Sequence, residues 1–284
     1  MNITKETGGM VPDIENKNLA KKNNLLTRVF SALVMLPLAI FIILNGGMAF
    51  LILISFLTVM ILSEWNGICE KSPISWLVAV QALCAILLIY QLNIESPYFW
   101  ISFISSLISI LAIALLLKVK LIWALTGFFY AVIPSASFLL IEKQFGGVLV
   151  LWMMIVIWSM DTGAYFAGKN IGGPKMSPKI SPNKTWSGLI GGTITAILIG
   201  GIYGFYMQDQ NIALFSNATI LLLFSGLFAL LSQVGDLAES AVKRKFSVKD
   251  SGSIIPGHGG VMDRVDGVLF VAPAVLIVSN VLYA

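Results

Sequence analysis

Charge is scarce in this chain. Only 11% of its 284 residues are Asp, Glu, Lys or Arg, where a soluble domain carries about 25%. A water-soluble globule is excluded, because too little polar surface exists to cover a compact body. Disorder is excluded as well, since 57% of the residues are hydrophobic and a solvated chain does not tolerate that. Cys69 and Cys84 are the only cysteines, too few for a disulfide framework. With one histidine, His258, no Cys/His set argues for zinc. What is abundant is apolar sequence, with a mean hydropathy of +0.90. The remaining class is an all-α polytopic membrane protein. Its net charge of +4 then reads as basic loops on one membrane face, not as nucleic-acid affinity.

Charged residues punctuate the chain and leave uncharged stretches at 29–63, 72–94, 96–117, 121–141, 144–160, 185–208, 210–235 and 267–284. A helix needs about 20 apolar residues to cross the hydrocarbon core. The first stretch holds two short helices around the turn signal Asn45-Gly46-Gly47, and each of the others holds one. The expectation is about nine transmembrane helices, since lipid leaves no partner for unpaired backbone. Lys21, Lys22 and Arg28 precede the first stretch without a convincing cleavage site, so it is read as a retained span. With the N-terminus cytoplasmic, every Lys and Arg except Lys143 falls on the cytoplasmic side, as the positive-inside rule asks.

Three regions follow. Residues 1–28 form a polar cytoplasmic tail. Residues 29–150 form an N-terminal array of about five helices with almost no intramembrane charge. Residues 151–284 form a C-terminal membrane region that contains nearly every interesting polar group, with cytoplasmic loops at 169–186 and 236–264; it is the region to expect any catalysis in. No internal repeat is visible, which argues against a transporter built from duplicated halves.

The chemistry-bearing groups lie in the last region. Asp161 follows an apolar run near the end of the sixth span, and a carboxylate at membrane depth is a functional or paired group by default. The loop 169–186 carries Lys169, Lys175, Lys179 and Lys184, and ends in Ser181-Pro-Asn-Lys184-Thr185-Trp186. It suits either a phosphate at a helix N-terminus or anionic lipid. In the 236–266 segment, a continuing helix would put Asp236, Glu239, Ser240 and Lys243 on one face. Asp263 and Asp266, at i and i+3, can point at one cation. Gly257, Gly259 and Gly260 would let backbone approach a phosphate. Carboxylates beside Lys243, Arg244, Lys249 and Arg264 suit a divalent cation with a polyphosphate, and oxygen ligands favour magnesium. His258 is open between general base, phosphate donor and loop hydrogen bonder. A salt-bridged cytoplasmic loop is the bland alternative for the whole segment.

Ser240 to Asp266 closely resembles the signature of the phosphatidate cytidylyltransferase family, also called CDP-diacylglycerol synthases. That signature runs Ser-x-apolar-Lys-Arg-x4-Lys-Asp-x-small-x2-apolar-Pro/Gly-x-His-Gly-Gly-apolar-x-Asp-Arg-x-Asp, and this chain matches every specified position. Asp161-Thr-Gly-Ala-Tyr with Gly168, and Ser181 to Trp186 with Gly188, are similar to the family too. Lys169 and Ser187 are small departures, standing where arginine and an acidic or amide residue are common. The likeness covers roughly residues 155–284.

The resemblance implies a multi-pass enzyme of a bacterial plasma membrane, with its active site facing the cytoplasm. It implies that CTP and phosphatidate become CDP-diacylglycerol and pyrophosphate, with magnesium required and potassium the candidate for a second cation. Asp236 and Asp263 are expected as direct metal ligands. Asp161 and Asp266 would orient ligands or hold the second cation, and Lys243 joins the catalytic set. Ser181, Lys184, Thr185, Arg244, Lys249, His258, Gly259, Gly260 and Arg264 are expected to hold substrate. CTP, phosphatidate and the bilayer are the expected partners, nucleic acid is not, and a homodimer stays open. The rivals are another membrane CTP-dependent lipid-phosphate transferase, a polyprenol kinase, or an ion or lipid transporter. The Asp-Gly-x2-Ala-Arg motif of CDP-alcohol phosphotransferases is absent.

Overall fold

The computed structural model describes residues 33–72, 74–210, 212–252, 254 and 259–283. The expected tail at 1–28 and His258 lie outside them. In chain order the elements are helix α1 over Leu33–Asn45, α2 (Gly47–Cys69), α3 (Trp76–Asn93), α4 (Phe99–Leu116), α5 (Leu121–Phe145) and α6 (Gly147–Asn170). A small hairpin follows, β1 (Lys175–Ser177) and β2 (Ser181–Thr185), then α7 (Trp186–Tyr206), the short α8 (Ala213–Ser216), α9 (Ala218–Lys245) and α10 (Met262–Tyr283). Among the described residues, eight of these helices are long and apolar enough to cross a membrane, and α1 is a shorter apolar helix. The all-α polytopic fold read from the sequence is therefore the fold observed.

Local chemistry sets the breaks. Gly46 and Gly146 sit at φ of 62° and 79°, a left-handed region that glycine enters without a Cβ clash, and they end α1 and α5. The side chains of Ser75, Thr185 and Asn217 accept bonds from the first free N–H groups of α3, α7 and α9, the usual remedy for orphan donors.

Two helices reach further than their apolar stretches suggest. The sixth apolar stretch ends at Met160, yet α6 continues to Asn170. The seventh ends at Gly235, yet α9 continues to Lys245. Residues 236–245, counted above with a loop, are thus the last turns of a helix. Asp161 and Asp236 each lie nine residues before their helix end, which is roughly 13 Å at 1.5 Å per residue.

The α6 extension is held by α7. The two run antiparallel at close range: Trp152 donates its indole N–H to the Gly200 carbonyl at 3.1 Å, and a Cβ at Gly192 would lie 2.6 Å from the Met160 carbonyl oxygen. Glycines that look like helix breakers in a soluble chain are here the surface that lets two membrane helices meet. On the other side of the bundle, α2 packs antiparallel on α5. Thr58 donates to Ser135 at 2.7 Å, and the Trp65 indole donates to the Trp123 carbonyl at 3.0 Å. In α10, Gly267 packs against Ser232 of α9.

The α6–α7 contact leaves no space for a larger residue. Gly192→Val is expected to destabilise the protein by about 1–3 kcal/mol, the usual cost of overpacking. A thermal-denaturation curve in detergent should show a clearly lowered midpoint, with Ile194→Val on the exposed face of α7 as the unaffected control.

Candidate active site

Because α9 stays helical to Lys245, one of its faces carries Asp236, Glu239, Ser240 and Lys243 at i, i+3, i+4 and i+7. That face meets the start of α10. The Lys243 ammonium lies 2.5 Å from Asp263 Oδ1 and 3.2 Å from Glu239 Oε1. Glu239 is only 1% exposed, so its charge depends on that ammonium: removing one partner of a buried pair leaves an uncompensated ion. The other oxygen of Asp263 accepts the backbone N–H groups of Ser251 at 3.0 Å and Gly260 at 3.3 Å. Both oxygens are therefore oriented.

A second charged centre lies on the same face. Lys184 of β2 reaches Asp236 Oδ2 at 2.5 Å, and Ser240 Oγ donates to Asp236 Oδ1 at 3.3 Å. Gln233, one turn earlier on α9, donates to Asp161 of α6 at 3.3 Å. The hairpin delivers Lys184 there: β1 and β2 pair antiparallel, and Thr185 caps α7 by accepting from Gly188 N at 3.1 Å. Arg244 fastens the hairpin, donating to the Ile180 carbonyl at 3.2 Å and to the Val248 carbonyl at 3.2 Å.

The structure thus gathers Asp161, Lys184, Asp236, Lys243 and Asp263 at the ends of α6, α9 and α10 and on the hairpin. It treats the remaining expected residues differently. The Thr185 hydroxyl is occupied as a helix cap, and the Arg244 guanidinium ties backbone carbonyls. Ser181 is half-buried in β2, while Lys249 and Arg264 are exposed. Asp266 Oδ1 accepts the N–H of its own neighbour Gly267 at 2.7 Å. Gly259 takes a φ of 85°. The buried Gly260 uses its N–H on Asp263, not on an open anion site.

One charged residue at this site comes from the N-terminal array. Glu64 of α2 is 3% exposed; it accepts from Val261 N, Met262 N and Ser251 Oγ, each at 2.8 Å. Its one signal in sequence is a carboxylate abutting the longest uncharged stretch of the chain. Glu239 shared the expected α9 face, but its burial against Lys243 was not legible.

The carboxylates of Glu64, Asp161, Asp236, Glu239, Asp263 and Asp266 outnumber the two ammonium groups ion-paired to them. Carboxylate oxygens are the donors a hard divalent cation takes. Among the described residues, no three His, Cys, Asp or Glu side chains converge as a ready-made metal cluster. Lys184 and Lys243 stand against Asp236 and Asp263.

The chain is similar to known proteins over most of its length. The sequence pattern of the cytidylyltransferase family matches residues 26–282. The phosphatidate cytidylyltransferase of Bacillus subtilis (strain 168) is 36% identical over 269 residues, covering 89% of this chain and 95% of the relative. That of Rickettsia felis is 34% identical over 275 residues, covering 95% and 99%. A Brucella suis protein of the same name is 42% identical over 164 residues, and that match spans 57% of this chain and 58% of the relative.

The buried pair makes a stability prediction. Lys243→Met should cost about 3–5 kcal/mol by leaving Glu239 and Asp263 without their shared ammonium, and adding Glu239→Gln should recover the part that Glu239 contributes. Melting curves of the two variants in detergent check this. Equal melting temperatures for the single and double variants would contradict it.

Proposed function

The chain belongs to the cytidylyltransferase family, and on that premise we propose that it joins CTP to phosphatidate, forming CDP-diacylglycerol and releasing pyrophosphate. The observation that carries the reading is the double Lys–Asp centre, Lys184–Asp236 and Lys243–Asp263, set at helix ends of a membrane bundle. A lipid phosphate lies at the interface and a nucleotide arrives from water. A site at the ends of spanning helices is open to both.

The chemical demand fits these residues. A phosphate oxygen of the lipid attacks the α-phosphorus of CTP, and a new O–P bond forms. The bond from that phosphorus to the bridging oxygen breaks, and pyrophosphate leaves with the electron pair. The nucleophile is already ionised near neutral pH, so no strong base is required. The barrier is repulsion between two anions, and fixed cations and donors lower it. Lys184 and Lys243 are the groups to neutralise the transferring and leaving phosphates. The exposed Lys249 and Arg264 are placed to attract the triphosphate.

Asp236 and Asp263 are the residues to hold magnesium, with Asp161 and Asp266 available for a second cation, potassium being the candidate. A bound divalent ion would supply further charge neutralisation on the triphosphate. The fixed orientation of Asp263, held by two backbone N–H groups, supports its part in this.

Purified protein with labelled CTP and a panel of lipid phosphates, with and without magnesium, tests the reading. Phosphatidate should support pyrophosphate release that depends on the metal. Asp236→Asn and Asp263→Asn should lower turnover by at least about 100-fold, the scale of losing a transition-state electrostatic contact, with the helical circular-dichroism spectrum retained. Release from polyprenol or another lipid phosphate instead would move the protein to a different transferase class.

We further propose that the site faces the cytoplasm of a bacterial plasma membrane, supported by the one-sided distribution of Lys and Arg. Single cysteines at Ser177, Ser247 and Asp209, in a background lacking Cys69 and Cys84, report this through a membrane-impermeant maleimide. Intact cells should label position 209 alone. Labelling of 177 or 247 before lysis would contradict the orientation.

A further inference from the structure

From these contacts we infer that Glu64 is a positioning residue for Asp263, acting through Ser251, so that the N-terminal array sets the geometry of the reaction centre. The inference rests on the proposed transferase reading for its kinetic consequence, but not for its structural one. Glu64 lies on α2, 187 residues before Ser251, on the part of the chain that carries almost no other intramembrane charge.

Three donors converge on its two oxygens. Oε1 accepts from Val261 N, and Oε2 accepts from both Met262 N and Ser251 Oγ, all at 2.8 Å. Val261 precedes α10 and Met262 begins it, so Glu64 supplies the carboxylate that the orphan N–H groups and positive end of this helix favour. The N-terminus of α10 is consequently filled by the protein's own anion, not held open for a substrate phosphate.

Ser251 carries the link onward. Its hydroxyl stands 3.4 Å from Asp263 N, while its own N–H donates to Asp263 Oδ2 at 3.0 Å. Three residues from α2, the intervening loop and α10 thus form one chain of contacts ending on the carboxylate paired with Lys243. The loop glycines fit the same picture. A Cβ on Gly252 would lie 2.7 Å from Glu64 Oε1, and one on Gly260 would lie 2.7 Å from Glu64 Oε2 and collide with the Ser251 hydroxyl. These glycines let backbone wrap a buried carboxylate of α2.

Glutamine at position 64 would turn an amide N–H₂ toward N–H and O–H donors, so it fails where a carboxylate succeeds. Aspartate keeps the charge but is one methylene shorter. The test combines Glu64→Gln, Glu64→Asp, Ser251→Ala and the Glu64→Gln/Ser251→Ala double variant, in detergent. Hydrogen–deuterium exchange without substrate should rise at Val261, Met262 and Ser251 in Glu64→Gln, while α6 and α7 keep wild-type protection. Turnover should fall by up to about 100-fold, the scale of misplacing a reacting group by 1 Å, with the KM for CTP changed much less. Glu64→Asp should recover part of that loss. Ser251→Ala should lower turnover on its own and add little on top of Glu64→Gln, as expected for residues in one network.

Strictly additive losses, or exchange that rises evenly over the whole bundle, would overturn the inference in favour of general destabilisation. Wild-type turnover in Glu64→Gln would overturn it outright. If Glu64→Gln fails to fold, the milder Ser251→Ala decides: unchanged exchange at Val261 and Met262 together with unchanged turnover rejects the link. Should the wild-type protein release no pyrophosphate, the functional reading fails, while the exchange pattern still judges the contact chain.

Discussion

A lysine ammonium shared by two carboxylates governs this site. Lys243 touches Asp263 and the almost fully buried Glu239, and the loss of either contact would leave a charge without water or partner. The pairing requires α9 to stay helical two turns beyond its apolar stretch, and it requires α10 to begin where it does. Those demands pass to the loop between the helices, which must bring Ser251 and Gly260 onto Asp263. They pass on to α2, whose Glu64 secures the start of α10. The charged cluster and the helix ends are thus one problem in electrostatics, solved by residues from distant parts of the chain.

The depth of the site follows from packing. Close approach of α6 and α7 along their small residues carries α6 past Asp161 to Asn170, and the hairpin that joins them returns Lys184 to Asp236. Asp161 and Asp236 lie roughly 13 Å before their helix ends, while Lys243 and Asp263 stand within two residues of theirs. The same backbone closeness explains why so glycine-rich a helix as α7 remains continuous over Trp186–Tyr206: its neighbour, not its propensity, stabilises it.

Much of this was legible without coordinates. The spacing of charges divides the chain into apolar stretches that match its long helices, and the i, i+3, i+4, i+7 spacing of Asp236 to Lys243 places them on one face once the helix is allowed to continue. Helix ends were less legible, because Asp161 and Asp236 read as membrane exits when only hydropathy is counted. Pairing across the site was hidden for another reason. Nothing local to Glu64 points to Val261 and Met262, and Arg244 looks like a phosphate ligand until its carbonyl partners are seen. The β1–β2 hairpin looks like a basic loop in sequence because its pairing is short and its residues are polar. Gly260 resembled a phosphate-cradling glycine, and its close neighbour turned out to be a carboxylate of the protein itself.

We propose Asp236 and Asp263, here held by Lys184 and Lys243, as the seat of a divalent cation facing a triphosphate. Crystals grown with CTP and manganese as a magnesium substitute test this most directly, through anomalous scattering from the metal. The account predicts a manganese peak bonded to oxygens of Asp236 and Asp263, with both lysines turned to phosphate oxygens. A nucleotide bound with its metal elsewhere, and Lys243 still seated on Asp263, would contradict it.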